Sequence, residues 1–119
     1  MSSQFSLTTF NSKGKLKQIE NALKAVSKGD TAVGIKYKSG VVLVCQKKLK
    51  SVLIDETSFQ KIQRVSANVG STYAGLSCDF RVLQQYARKK NLSYKLRYHE
   101  PILVENIVRQ TAKVFQEFT

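Results

Sequence analysis

Apolar residues recur with different periods along the chain, and the changes of period predict its elements. Leu16, Ile19, Leu23 and Val26 follow one another at spacings of three and four, which predicts an amphipathic helix of about three turns. Gly29 comes shortly after the last of them, and a glycine at this point predicts a left-handed cap at the helix C-terminus.

Two hairpins are predicted to follow this helix. Residues 31–38 alternate, residues 39–40 form a tight turn, and residues 41–45 are continuously apolar, as in a strand that is buried on both faces. Residues 61–65 alternate again and turn into an arm over residues 69–76, in which small residues allow close packing. A short strand and a loop are expected between the hairpins, over residues 51–58.

Two further helices are predicted in the last third of the chain. Ser77 is the expected N-cap of the first, which continues as far as Lys95 or Tyr98. Glu100 and Pro101 are expected to begin the second, and its apolar residues keep a helical spacing up to Thr119. A helix, two hairpins and two helices predict an α+β fold, with an antiparallel sheet and helices on one face. A strand buried on both faces needs cover on its other side, and the last helix lacks a stop signal, so a second layer is expected to be missing.

Charge is the extreme feature of the composition. The formal net charge is +12, which suggests a polyanionic partner and makes a small basic nucleic-acid-binding α+β module the alternative interpretation. The basic residues are nevertheless spread along the chain, and the densest cluster, residues 46–50, contains no aromatic residue to stack on a base. Cys45 and Cys78 lack metal-ligand spacing, and His99 has no recognisable nucleophile partner, so no metal, cofactor or catalytic site is predicted.

Five segments, in this order, resemble the α subunits of the 20S proteasome: Gly14-Lys15-Leu16-Lys17-Gln18-Ile19-Glu20, Thr31-Ala32-Val33-Gly34-Ile35-Lys36, Ser71-Thr72-Tyr73-Ala74-Gly75-Leu76, Asp79-Phe80-Arg81-Val82-Leu83 and Gln116-Glu117-Phe118-Thr119. The resemblance covers the whole chain. It implies the first half of the αββα sandwich of N-terminal-nucleophile proteins, without the second half. It divides the chain into an N-terminal gate arm, residues 1–10, and the N-terminal half of an α-type domain, residues 11–119.

The resemblance also implies that the chain is not an enzyme. Catalytic proteasome subunits use a free N-terminal Thr as nucleophile and base, together with an acidic residue and a Lys. The matching positions here are Asp30, Gln46 and Thr57. Asp30 lies inside the chain, so no free amine exists at that position.

The family's role implies partners rather than substrates. The chain is expected to contribute to α-ring assembly, to gate substrate entry and to dock the C-terminal tails of regulators in ubiquitin-dependent protein degradation, in the cytoplasm and nucleus. Its partners would be neighbouring α subunits, the β ring and regulatory particles, with no cofactor and no membrane. The regulator-tail pocket is carried over to Lys61, Gly29, Leu16 and Glu20.

The gate is where the sequence departs from the family. Residues 1–10 alternate weakly, which predicts an extended arm, and the gate residues are Phe5, Leu7, Thr8, Thr9 and Phe10. An arm without a core stripe suits a low-stability switch. The family's open-gate cluster of two Tyr, an Asp and a Pro is replaced here by Ser3, Gln4, Ser12 and Asn21, which predicts an altered open state.

Overall fold

The computed structural model describes residues 6–119, and it confirms the α+β class and the predicted order of helices and hairpins. Its elements are α1 (Lys17–Ser27), β1 (Ala32–Tyr37), β2 (Gly40–Cys45), β3 (Gln63–Ser66), β4 (Val69–Ser71), α2 (Ser77–Tyr98) and α3 (Val104–Glu117). The four strands form two separate two-stranded antiparallel sheets, β1–β2 and β3–β4.

The first hairpin is regular but open to solvent. Val33 pairs with Val44 and Ile35 with Val42, so these side chains share one face of the sheet, and all four are exposed. Residues 41–45 are therefore not buried on both faces in the described chain, which agrees with the expectation that a covering layer is missing. On the opposite face, the Leu43 side chain lies against the backbone of Gly34 and of Gly70, which brings β2 into contact with β4.

The second hairpin is short and is held by α2. The β3–β4 register shifts between Arg64 and Ser66. The Arg64 carbonyl oxygen accepts hydrogen bonds from side chains of α2. Its donors are Gln84 Nε2 at 3.3 Å and Arg88 Nε and Nη2 at 3.1 and 2.9 Å. The bonds give a buried amide and a long cationic side chain defined partners, so they fix the helix on the strand.

The core lies between the second hairpin and the last two helices. Val69, Ala87, Ile102 and Ile107 are its buried members, and Val65 and Tyr94 pack against them. Ile102 is fully buried although it belongs to the α2–α3 connection. Asn68 Nδ2 donates to its carbonyl oxygen at 3.3 Å, so the turn of the second hairpin holds this connection in place.

Several predicted element ends are wrong. Helix α2 has Leu76 as its N-cap, with no side-chain bond, so Ser77 is its first helical residue. Helix α3 begins at Val104 after an extended Leu103, so residues 100–101 belong to the connection. Residues 51–58 form turns with no strand, and the second hairpin arm ends at Ser71.

Gly29 is needed for a different reason from the one predicted. Its φ is not positive, and the C-cap of α1 is Lys28 in a right-handed conformation. A Cβ atom on Gly29 would lie 2.3 Å from the backbone nitrogen of Gly75 and 2.7 Å from its Cα. The segment after α1 thus crosses the segment before α2 at a distance that only glycine allows.

The described part of the N-terminal arm is bent rather than extended. The chain bends at Leu7 and Thr8, and the Ser6 and Thr9 hydroxyl oxygens lie 2.8 Å apart. Phe10 is exposed and forms an isolated antiparallel bridge with Leu16. The predicted gate residue Phe5 lies outside the described residues, and the division at residues 10 and 11 stays a prediction.

Candidate functional site around Lys61

Lys61 is a buried cation between the two hairpins. It immediately precedes the second hairpin, and only 3% of its side chain is exposed. Its Nζ donates to Asp30 Oδ2 at 3.1 Å and to the backbone oxygen of Gln46 at 2.9 Å. The Tyr73 ring lies on another side, with its centroid 5.2 Å from Nζ. Burial without partners would be costly for an ammonium group, and these contacts offset that cost.

Asp30 is the anion of the cluster and stands just before β1. Its Oδ2 pairs with Lys61 and its Oδ1 lies 3.4 Å from Lys48 Nζ. The hydrogen bond from Lys61 lowers the pKa of Asp30 below its ordinary value; partial desolvation opposes this effect, and Lys48 adds to it. Asp30 is therefore a carboxylate near neutral pH, shared by two ammonium groups.

This cluster carries a net positive charge, and its side chains suit the binding of an anion better than nucleophilic chemistry. Two cations, Lys48 and Lys61, surround one carboxylate, which leaves one positive charge uncompensated. An ammonium group has three donor hydrogens, and the side-chain and backbone bonds of Lys61 Nζ use two of them. The arrangement can therefore accept a carboxylate, provided that the group reaches the lysines.

The structure brings two of the three matched catalytic positions together and leaves the third apart. Lys61 Nζ joins Asp30 and Gln46 by donating to both of them. Thr57 lies in an exposed turn, where its backbone N and Oγ1 donate to Asp55 Oδ1 at 2.9 and 2.7 Å. The match of Thr57 to the Lys position of the catalytic pattern stays a prediction.

The residues predicted to form the regulator-tail pocket are only partly gathered. Gly29 precedes Asp30 and packs on Gly75, so it lies beside the Lys61 cluster. Leu16 contacts Phe10 through the isolated bridge, and Glu20 pairs with Lys15 at 3.4 Å. The described contacts of Leu16 and Glu20 are thus made at the start of α1. The membership of these four residues in one pocket stays a prediction.

The predicted degenerate gate cluster is exposed where it is described. Ser12 lies in the turn before α1, and Asn21 lies on the surface of the helix. Asn11 Oδ1 fixes this turn by accepting from the backbone N of Lys13 and of Lys15, at 3.0 and 2.9 Å. Ser3 and Gln4 lie outside the described residues.

The sequence does not predict Lys48 as a partner of Asp30 or Tyr73 as a neighbour of Lys61. The sequence places Lys48 in a basic cluster and Asp30 at a position without a nucleophile, and neither pattern predicts that the two side chains pair. The residues of this site come from four separate stretches of the chain. The two residues that Lys61 Nζ bonds are 31 and 15 positions away from it. No local period links them, so only the tertiary structure brings them together.

Residues 6–119 contain neither a candidate membrane span nor a candidate metal centre. No helix there combines the length and apolarity that a membrane span requires. The same residues contain no group of three or more His, Cys, Asp or Glu side chains arranged to hold a metal ion.

Comparisons with known proteins agree with the resemblance seen in the sequence. A family model described as proteasome subunit matches residues 26–119. Proteasome subunit alpha type-2-B of Arabidopsis thaliana is 54% identical over 115 residues, which are 97% of this chain and 49% of the relative. Proteasome subunit alpha type-2 of Dictyostelium discoideum is 52% identical over the same shares of the two chains. The corresponding protein of Trypanosoma brucei brucei is 45% identical over 98% of this chain and 51% of its own length.

The chain spans about half the length of the curated relatives it matches. The family model covers well over half of the chain, and the similarity to the α type-2 relatives extends across nearly all of it. The chain therefore belongs to the proteasome subunit family, and within that family it is similar to the α subunits of type 2.

Proposed function

We propose that this chain is the N-terminal part of a non-catalytic subunit in the α ring of the 20S proteasome. The observation that carries the proposal is the ion pair of Asp30 with Lys61 at the head of β1. Where a catalytic subunit of the family has its nucleophilic Thr, this chain has a carboxylate bonded to two lysines. A carboxylate there has neither the hydroxyl nor the free amine that this mechanism uses.

The proposed partners are the neighbouring α subunits, the β ring and regulatory particles that dock through C-terminal tails. Tail docking is supported by the uncompensated positive charge of the Lys48, Asp30 and Lys61 cluster. A terminal carboxylate is a suitable ligand for such a cluster because charge-assisted hydrogen bonds to ammonium groups are short and strong. A single pair contributes little where solvent reaches it, so several tails bound together would be needed to open the gate.

The proposed work of the particle is ubiquitin-dependent protein degradation in the cytoplasm and nucleus, with this subunit controlling entry of substrates. The N-terminal arm is the proposed gate element. Support for a switchable arm comes from its described part, in which Leu7 and Phe10 are exposed. A segment with little buried apolar surface opens at low free-energy cost.

The docking proposal is tested in assembled particles that contain the full-length subunit. A short peptide with a penultimate Tyr and a free C-terminal carboxylate should stimulate hydrolysis of a fluorogenic peptide substrate. Lys61→Met should reduce that stimulation. Lys50→Met, at an exposed lysine of the basic cluster over residues 46–50, should leave it unchanged. Equal stimulation of the two variants would contradict docking at Lys61.

The altered gate cluster makes a separate proposal, that this subunit follows its neighbours instead of stabilising the open state itself. Ser12 and Asn21 both lie on the surface, so larger side chains there meet no core residue. Restoring the family types with Ser12→Pro and Asn21→Tyr should raise basal peptide hydrolysis by the assembled particle. Unchanged peptide hydrolysis would contradict this proposal.

A further inference from the structure

Asp30 is the carboxylate that already pairs with Lys61. Its Oδ2 accepts from Lys61 Nζ at 3.1 Å, and 23% of its side chain is exposed, compared with 3% for Lys61. Asp30 is therefore the more accessible member of the pair. A ligand that approaches the Lys61 ammonium group from solvent meets the Asp30 carboxylate first.

Lys48 and Lys61 share the carboxylate of Asp30. Lys48 is 65% exposed and lies 3.4 Å from Asp30 Oδ1, so the two oxygens of Asp30 face two different ammonium groups. A peptide C-terminus presents the same two-oxygen group with the same charge. The geometry that suits Asp30 would thus suit a terminal carboxylate, and two carboxylates at one place repel each other.

We propose that Asp30 is an intrasubunit counter-ion that competes with a peptide's C-terminal carboxylate for Lys61, and so weakens docking of regulator tails at this subunit. This inference rests on the proposed docking at Lys61 and adds a means of regulating it. With Asp30 in place, an incoming carboxylate is attracted only by the one positive charge that Asp30 leaves uncompensated on Lys48 and Lys61. With its charge removed, the incoming carboxylate becomes the counter-ion of both.

The test measures peptide affinity in assembled particles that contain the full-length subunit. The probe is a short peptide with a penultimate Tyr and a free C-terminus, and its C-terminally amidated twin is the ligand control. Asp30→Asn keeps the shape and an acceptor oxygen for Lys61 but removes the charge. We expect it to tighten binding of the free peptide about tenfold, since close charge pairs at interfaces are worth this much or more.

Two controls separate charge from shape. Asp30→Glu keeps the carboxylate and should bind the free peptide within about twofold of the unmodified subunit, a difference typical of a conserved charge. The amidated peptide lacks the competing charge, so Asp30→Asn should leave its affinity unchanged.

The outcomes distinguish this inference from the docking it rests on. Tighter binding of the free peptide alone supports competition by Asp30. Unchanged affinity in Asp30→Asn, together with lost binding in Lys61→Met, overturns the competition and leaves docking in place. Unchanged affinity in both variants overturns both proposals.

A second variant serves if Asp30→Asn prevents assembly because Lys61 is left buried without its counter-ion. Lys48→Gln changes an exposed side chain and leaves Asp30 paired with Lys61 alone. The cluster then has no net charge, and the free peptide should bind about threefold more weakly, as for the loss of one partly exposed cation. An unchanged affinity would overturn the inference.

Discussion

The two hairpins of this chain have similar strands but very different surroundings. The β3–β4 hairpin is the shorter, yet it packs on α2, contributes Val69 to the core and has its Arg64 carbonyl bonded by two side chains of α2. The β1–β2 hairpin has a longer and more regular register, yet one complete face, including Ile35 and Val42, is exposed. Strand formation and burial are therefore separate properties in this molecule.

The two hairpins meet at the head of β1, where the chain places its charged cluster. Lys61 leads into the second hairpin and bonds Asp30 and Gln46 at the two ends of the first. A buried polar network with defined partners fixes relative position more strictly than apolar contact does. The first hairpin is therefore positioned by its polar end and by Leu43, and the second by its core.

The largest expected effect is in the core beside the second hairpin. Ile102→Ala removes a fully buried side chain and should lower the free energy of unfolding by about 2–5 kcal/mol. Leu103→Ala is the matched control, because that neighbouring side chain is largely exposed and its loss should cost within about 0.5 kcal/mol. Urea unfolding of the two variants makes the comparison, and similar losses would contradict this location of the core.

The next effect concerns the crossing of Gly29 and Gly75. Gly29→Ala places a Cβ atom against the Gly75 backbone, which cannot rotate away, and should destabilise the chain by about 1–3 kcal/mol. Gly70→Ala is the control, since its Cβ would lie 3.4 Å from Leu43 Cδ1, an ordinary contact with a movable side chain. Thermal unfolding compares them; a harmless Gly29→Ala would mean that the two segments are not in contact.

A pH effect is expected at the joint between the hairpins. The pKa of Asp30 is lower in the folded chain than in the unfolded one, so its ionised form favours folding. This stabilisation is complete above the unfolded-state pKa of about 3.9 and is lost as the pH falls through the lower folded-state value. Asp30→Asn should therefore flatten the fall in stability between about pH 5 and pH 2, measured by denaturant unfolding. Equal pH profiles would show that the ion pair contributes nothing.

The smallest effect is expected on the exposed face of the first hairpin. Ile35 is 60% exposed, so Ile35→Ala should cost less than about 1 kcal/mol in the 119-residue chain. Val69→Ala, at a buried position of the second hairpin, should cost more. Equal losses in the free energy of unfolding, measured by chemical denaturation, would contradict the difference in burial between the hairpins.

Periodicity predicted which elements form but not where they end or what they contact. The stripe from Leu16 to Val26 predicted α1 because helical spacing is a local property, and the alternation around Ile35 predicted β1 in the same way. The predicted N-terminus of α3 was wrong because proline is tolerated both in a first helical turn and in an extended connection. The apolar run over residues 41–45 predicted a strand that needs cover on both faces, and the face exposed in the structure is where a covering layer is missing.

The site was only half predictable for a related reason. Lys61 and the positions of Asp30 and Gln46 came from the resemblance, but nothing local in the sequence joins residues 31 and 15 positions apart. The segment between Gln46 and Lys61 contains turns without a regular period, so the sequence does not predict that these two residues meet. Lys48 belongs to the site because its ammonium group lies near Asp30, and no sequence pattern indicates this proximity.

The most direct test of the central claim is the native mass of the endogenous protein, purified gently and then denatured so that its chain can be weighed. A non-catalytic α subunit predicts a large assembly with threonine-dependent peptidase activity, in which this chain is present beside separate catalytic subunits. A small particle that carries nucleic acid and lacks peptidase activity would contradict the claim, and would favour the basic nucleic-acid-binding module.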